Sequence, residues 1–344
     1  MKNLFKIRNL FATAIIVIFG LTSCSKSSDD TTTTSTVDNT ITGKAVATAD
    51  LSILVTALTR TNLAATLQGS GPYTVFAPTN DAFKAFLLAN NYANLDAIPI
   101  PALTQILLNH VVSGTTTSTQ LSDNIYLKTL GKGSASTSNT LSMYVAKTPA
   151  GAVKLNGISN VSIPNIVASN GIIHIVDAVI GLPTIITHAA ANPAFKILVK
   201  VVTSKTPADG FGDQSAVATA LTTNTSALTV FAPTDAAFGV ATGTGGFANG
   251  ATAAQITKVL QYHVLAGNNL AASLQDNTEL TTVATDPTTP TIFQKLKVLT
   301  DSPLGARLQD KAIAPNNISK IIVTDVQCAN GVIHAVDKVL KPNL

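Results

Sequence analysis

Leu103, Ile106, Leu107 and His110 fall at i, i+3, i+4 and i+7, and Ile256, Val259, Leu260 and His263 repeat that spacing residue for residue. Each set is the apolar stripe of an α-helix that ends on a histidine. Elsewhere the period changes. The strings GIIHIVDAVI from Gly171 and GVIHAVDKVL from Gly331 are short, rich in Ile and Val and opened by glycine, which predicts buried β-strands. Upstream, TVFAPTNDAF from Thr74 and TVFAPTDAAF from Thr229 each encode a strand end, a turn and a helix start. Pro78 and Pro233 stop the β-type run, and Thr79-Asn80 and Thr234-Asp235 supply capping chemistry for a helix bearing Phe83 or Phe238. In the first copy Phe83, Phe86 and Leu87 share one helical face.

The chain is therefore one module written twice, its matching strings about 155 to 160 residues apart. A period of that size is domain-sized rather than solenoid-sized. Helices come first and strands later within each copy, which argues an α+β fold. The second copy carries about eleven extra residues in TSKTPADGFGDQS, 203–215, whose Pro, Gly and Asp content predicts a surface loop.

The start of the chain reads differently. Lys2, Lys6 and Arg8 precede a twelve-residue mostly apolar run, 10–21, which closes on Leu21-Thr22-Ser23-Cys24. Such a run is too short to span a bilayer and predicts a secretion signal. Leu-Thr-Ser-Cys resembles the bacterial lipobox, implying a signal peptide over 1–23 and lipidation of Cys24; an ordinary secretory signal with a chance cysteine is the alternative. Residues 24–42, rich in Ser, Thr and Asp, then form a flexible tether with a reach on the order of 25 Å. Lys26 to Asp30 of this tether resemble the acidic, serine-rich signal that sends Bacteroidetes lipoproteins to the cell surface. Two modules follow, over 43–183 and 184–344.

Charge and chemistry narrow the function. Three of the 22 basic residues precede Cys24 and no acidic residue does, so 19 basic residues face 18 acidic ones in the remainder. No run of Lys and Arg survives there, which argues against a nucleic-acid partner. Cys328 has no partner once Cys24 is acylated, and its Ile- and Val-rich surroundings predict a small buried hydrophobe rather than a reactive thiol. The five histidines, at 110, 174, 188, 263 and 334, lack metal-ligand spacing. His174 and Asp177, like His334 and Asp337, stand three apart in a strand and point to opposite faces, so a histidine bonded within the core is expected there instead of a dyad. His110 and His263 are expected to be structural as well. The glycine-rich stretch 243–246 lacks the lysine of a phosphate loop and predicts a flexible loop. No cofactor, metal or catalytic residue is expected.

Taken together, the paired strings resemble the fasciclin-type domain. Its N-terminal motif is similar to TVFAPTNDAF, its central Tyr-His ends a helix, and its last motif is similar to NGVIHAVDKVL. The resemblance covers about 47–183 and 193–342. It implies, for each module, a wedge-shaped β-sandwich of about seven strands with helices packed on one side. It also implies extracellular adhesion or matrix-type interaction rather than catalysis. Tyr262-His263 and Asp325-Val326 match the family's interaction residues, whereas the first copy has Asn109-His110 and Asn165-Ile166. The second copy is therefore expected to carry the contact. The whole reads as a lipoprotein anchored in the outer membrane through Cys24, on the cell surface or facing the periplasm, that meets an extracellular protein or polysaccharide. A ligand- or glycan-capturing accessory lipoprotein is the alternative; the absence of Trp and 5% aromatic content count against it, because sugar faces stack on aromatic rings.

Overall fold

The computed structural model describes residues 38–206, 210–223, 225–242, 251–300, 305–312 and 317–344. Cys24, the signal segment and the glycine-rich stretch 243–246 lie outside the described residues. Residues 38–344 belong to one compact unit.

In the first module, the Thr40 hydroxyl accepts from Gly43 N and starts helix α1 (Ile41–Val46). It is followed by α2 (Ser52–Arg60), α3 (Leu63–Gln68), β1 (Tyr73–Pro78), α4 (Asn80–Ala89) and α5 (Ile100–Leu108). The expected turn is present: β1 ends on Pro78, and the Thr79 hydroxyl accepts from Ala82 N to cap α4. The strands β2 (Val111–Ser113), β3 (Ile125–Gly133), β4 (Ser136–Lys147), β5 (Val153–Leu155), β6 (Ser159–Ala168) and β7 (Gly171–Val176) complete the module. The second module repeats the order with α6 (Ile185–Ala191), α7 (Lys196–Val202), α8 (Ser215–Thr223), β8 (Leu228–Pro233), α9 (Asp235–Thr242) and α10 (Ala253–Tyr262). Its strands continue as β9 (Val264–Ala266), β10 (Glu279–Thr285), β11 (Phe293–Leu299), β12 (Arg307–Gln309), β13 (Ile318–Cys328) and β14 (Gly331–Val336).

Each set of seven strands closes into a ring in sequence order, antiparallel except where the first strand lies parallel to the last. Glycine permits that parallel pair. A Cβ on Gly331, at the start of β14, would stand 2.1 Å from Leu228 O. Along β1 the period of two divides the core. Val75 and Ala77 face the helices, packing with Leu54, Leu58, Phe83, Leu103 and Leu107. Phe76 faces the opposite sheet and packs with Met143, Val145, Leu155 and Val176. In the second module Val230 and Ala232 join the helical layer, while Phe231 meets Tyr262, Leu296, Val298 and Leu308. The fold is α+β as expected, two similar modules of seven strands with helices.

The two modules clamp together through the outer face of β3 and β4. Ala135 N donates to Ala329 O at 2.8 Å, and the Ser134 hydroxyl to the same oxygen at 3.1 Å. Gln327 N donates to Ser142 Oγ at 3.0 Å, and Lys128 Nζ to Asp325 O at 2.7 Å. Asn192 Nδ2 donates to the Tyr126 hydroxyl at 3.0 Å. His188 lies fully buried on α6, its ring edge-on to Tyr126 at 5.9 Å. Neither of its ring nitrogens has a hydrogen-bond partner.

Candidate functional site

Four histidines of the repeated motifs are bonded on both ring nitrogens, one partner accepting and one donating. His263 Nδ1 donates to Val259 O at 2.7 Å, and Nε2 accepts from Leu340 N at 2.9 Å. His110 does the same with Ile106 O and Ile180 N, at 2.8 and 2.9 Å. A carbonyl can only accept and an amide N–H can only donate, so each ring is held as a single neutral tautomer. Burial drives both rings from the usual 6.5 to about 4, against the pull of the Ile106 and Val259 carbonyls. His174 and His334 use the opposite tautomer. Their Nε2 atoms donate to Thr116 O and Asn269 O at 2.9 and 2.8 Å, and their Nδ1 atoms accept from Asn165 N and Asp325 N at 3.2 and 3.3 Å. Burial lowers these two as well.

Neither Asp177 nor Asp337 turns to the histidine three residues before it, and the carboxylate nearest His334 Nδ1 is that of Asp325, at 4.0 Å. Asp177 turns to Asn160, accepting from its N at 2.7 Å and Nδ2 at 2.8 Å. Asp337 accepts from Lys320 N at 2.7 Å and the Ser319 hydroxyl at 3.1 Å. Both carboxylates tie the last strand of a module to its neighbour, away from the histidine. Cys328 is buried, and burial pushes its thiol well above the ordinary value.

The residues matched to an interaction motif lie in unlike surroundings. Tyr262, His263 and Val326 are all buried. The Tyr262 hydroxyl donates to Lys295 O at 2.9 Å, and burial raises its pKa. These side chains pack inside the module and present little surface to a partner. Asp325 stands in the left-handed region at φ 58°, where β13 bulges against β14. Its Oδ1 accepts from Ala271 N at 2.8 Å, and its side chain keeps 35% exposure. Asn165 occupies the same corner of β6 at φ 62°, and its Oδ1 accepts from Ser118 N at 2.9 Å. Asp and Asn share tolerance of that conformation and the acceptor oxygen the corner needs. The main chain of Asp325 is meanwhile clamped by Lys128 of the first module. Asp325→Asn is thus expected to change stability by less than about 0.5 kcal/mol. Asp325→Ala, which loses both the acceptor and the tolerance, should cost about 1–3 kcal/mol in urea melts.

Sequence reasoning missed two asparagines of equal importance. Asn170 Oδ1 accepts from Ile41 N at 2.9 Å, and its Nδ2 donates to Leu67 O and Gly69 O at 2.7 and 2.8 Å. Asn330 accepts from Ile185 N at 3.0 Å and donates to Leu221 O at 2.8 Å. Each ties the first helix of its module to the final β-turn. Their repetition before Gly171 and Gly331 was the available signal. Among the described residues no group of three or more His, Cys, Asp or Glu side chains is placed to hold a metal ion.

The family model described as "Fasciclin domain" matches residues 49–183 and 203–342, more than half of the chain. Two relatives come from Synechocystis. One, "Protein sll1483", is 35% identical over 129 residues, 38% of this chain and 66% of its own length. The other, "Uncharacterized protein sll1735", is 41% identical over 129 residues, 38% of this chain and 87% of its own length. Among solved structures, a FAS1 domain pair from the insect cell adhesion molecule Fasciclin I is similar over 85% of this chain and 96% of that one, at 17% identity and a TM-score of 0.49.

Proposed function

The chain belongs to the fasciclin domain family, and we propose that it is a lipid-anchored surface protein whose two modules mediate adhesion or matrix-type contact. The observation that carries this reading is the fate of the motif histidines. His110, His174, His263 and His334 spend both ring nitrogens on main-chain partners, so none of these four rings is free to act as a base or ligand. What they build is a rigid scaffold, and its open surfaces are left for contact.

Anchorage rests on Cys24 and on the tether, in which Lys26 to Asp30 favour the cell-surface leaflet over the periplasm-facing one. One acyl chain binds a membrane only marginally, so stable retention needs the two or three chains a lipobox cysteine carries. Cys24→Ser should move the protein from the membrane fraction to the soluble one and abolish adhesion of cells that depends on it. Cell fractionation, mass spectrometry of the N-terminus and an adhesion assay with the two strains test this. Membrane retention of the serine variant would remove the lipoprotein reading, and equal adhesion with and without the protein would remove the adhesive one.

A further inference from the structure

We propose that the outward face of the sheet β10–β11–β12–β13 binds a linear acidic polysaccharide. This rests on the adhesive reading and names its partner class.

The strand register assembles the face. Thr281 pairs with Lys295; Glu279 with Lys297, then Gln309 and Ile318; Leu299 with Arg307 and then Lys320. Directly opposed residues share one side of a sheet. Leu296, Val298 and Leu308 alternate with them and are buried, so the lysines lie on the outer side. On that surface Lys295 and Lys297 stand about 7 Å apart along β11, and Arg307 and Lys320 are directly opposed across β12 and β13, about 5 Å apart. The Glu279 carboxylate also stands on this face. Glu279 takes Lys295 at 2.8 Å, and this bond, reinforced by the charges of Lys311 and Lys297, holds its pKa below the ordinary value. A basic patch running across three strands over an apolar underside is what a linear polyanion can follow.

The first module shows that this face is built for docking. Thr129 and Thr282 occupy the same place: each hydroxyl donates across the hairpin, to Leu141 O and to Gln294 O, and each residue pairs with the strand before, at Val112 and Leu265. Counting from them, Tyr126, Lys128, Ser142 and Tyr144 take the places of Glu279, Thr281, Lys295 and Lys297. In the first module that face is covered by the second module; in the second it is open and basic.

The occupant is not a further module. Gly133 lies against Ala329 so closely that a Cβ would stand 2.3 Å from Ala329 Cα. The same position of the β10–β11 hairpin is Asp286, whose side chain blocks a repeat of the internal contact. A lipid surface fits poorly too. The apolar hairpin tip, with Ile292 58% exposed and Phe293 50%, carries Asp286 and no cation, while the lysines lie on the flat of the sheet. A glycan has further partners. A groove of about 380 Å³ adjoins the patch, lined by Asn269, Glu279, Thr281 and Phe293 among others. It offers hydrogen-bonding groups for sugar hydroxyls and a half-exposed ring for a sugar face. Each charge contact is weak and screened by salt, but many tethered copies on one polymer add avidity.

The test titrates the full chain carrying Cys24→Ser with alginate, a polyuronate, against neutral dextran and against vesicles of equal parts phosphatidylcholine and phosphatidylglycerol. Alginate should bind, release as salt rises, and bind at least about tenfold more weakly to Lys295→Glu/Lys297→Glu/Lys320→Glu at unchanged melting temperature. Phe293→Ala should weaken alginate binding without altering its salt dependence. The proposal falls if the triple variant binds alginate equally, if dextran or the vesicles bind as well as alginate, or if the face instead drives self-association that the triple variant loses. Cell adhesion surviving in the triple variant would overturn this assignment while leaving the adhesive function standing.

Discussion

Stability should fall steeply as pH drops from 6.5 to 4. His110, His188 and His263 are each held by burial at about 4, against an ordinary 6.5. At His110 and His263 a main-chain carbonyl opposes the shift; at His188 the Ser142 main chain opposes it, outside hydrogen-bonding geometry, and the charge of Lys128 reinforces it. The folded-state values are depressed, so below 6.5 the unfolded chain takes up protons that the folded chain refuses. The stabilisation is complete above 6.5 and is lost as pH falls through 4. At pH 5 the loss is about 2 kcal/mol for each ring, or about 6 kcal/mol together, comparable with the whole stability of many domains. Urea melts of the Cys24→Ser chain between pH 7 and 4.5 measure it. His188→Leu breaks no hydrogen bond and should remove about a third of the slope that these three rings supply. A stability curve flat to pH 4.5 would contradict the buried neutral state of all three rings.

Local signals in the chain were enough for the scaffold. Pro78 with Thr79, and the stripe from Leu103 to His110, encode a strand end, a cap and a helix within a few residues, and the structure uses them as such. The twofold repetition made each reading count twice. Sites were less legible because their meaning depends on partners far along the chain. Nothing near His263 in sequence announces Leu340 N, its second partner. The change from Asn165 to Asp325 looks like a gain of charge for binding, yet both residues serve the same left-handed corner. The opposite error arose with charge. Lys295, Lys297, Arg307 and Lys320 form no run in sequence, and only the strand register sets them side by side. Gly133 is the extreme case, an unremarkable glycine in a hairpin until Ala329 is seen against it.

That glycine carries the second large effect: Gly133→Asp should separate the two modules without unfolding either. The residue that would clash is main chain, Ala329 Cα at 2.3 Å and its carbonyl oxygen at 2.5 Å from the new Cβ, so no side-chain rotation relieves it. Overpacking of this kind costs about 1–3 kcal/mol, at the upper end where neither side can yield. Here yielding means losing the bonds from Ala135 N and Ser134 Oγ to Ala329 O, and with them the Lys128 and Ser142 contacts along β13. Each module retains its own closed ring of strands, its own helical layer and its own bonded asparagine, Asn170 or Asn330, so each should remain folded. Aspartate is already the residue at the matching place in the second module, Asp286, which shows that the hairpin itself accepts it. In the Cys24→Ser background, Cys328 becomes the reporter, since it is buried beside Tyr126 and Lys128 of the first module. The variant should show a larger radius of gyration by X-ray scattering, two separable unfolding transitions, and a Cys328 thiol that reacts with dithiodipyridine. A single unshifted transition with Cys328 still protected would mean that the modules are held by contacts other than those around Ala329.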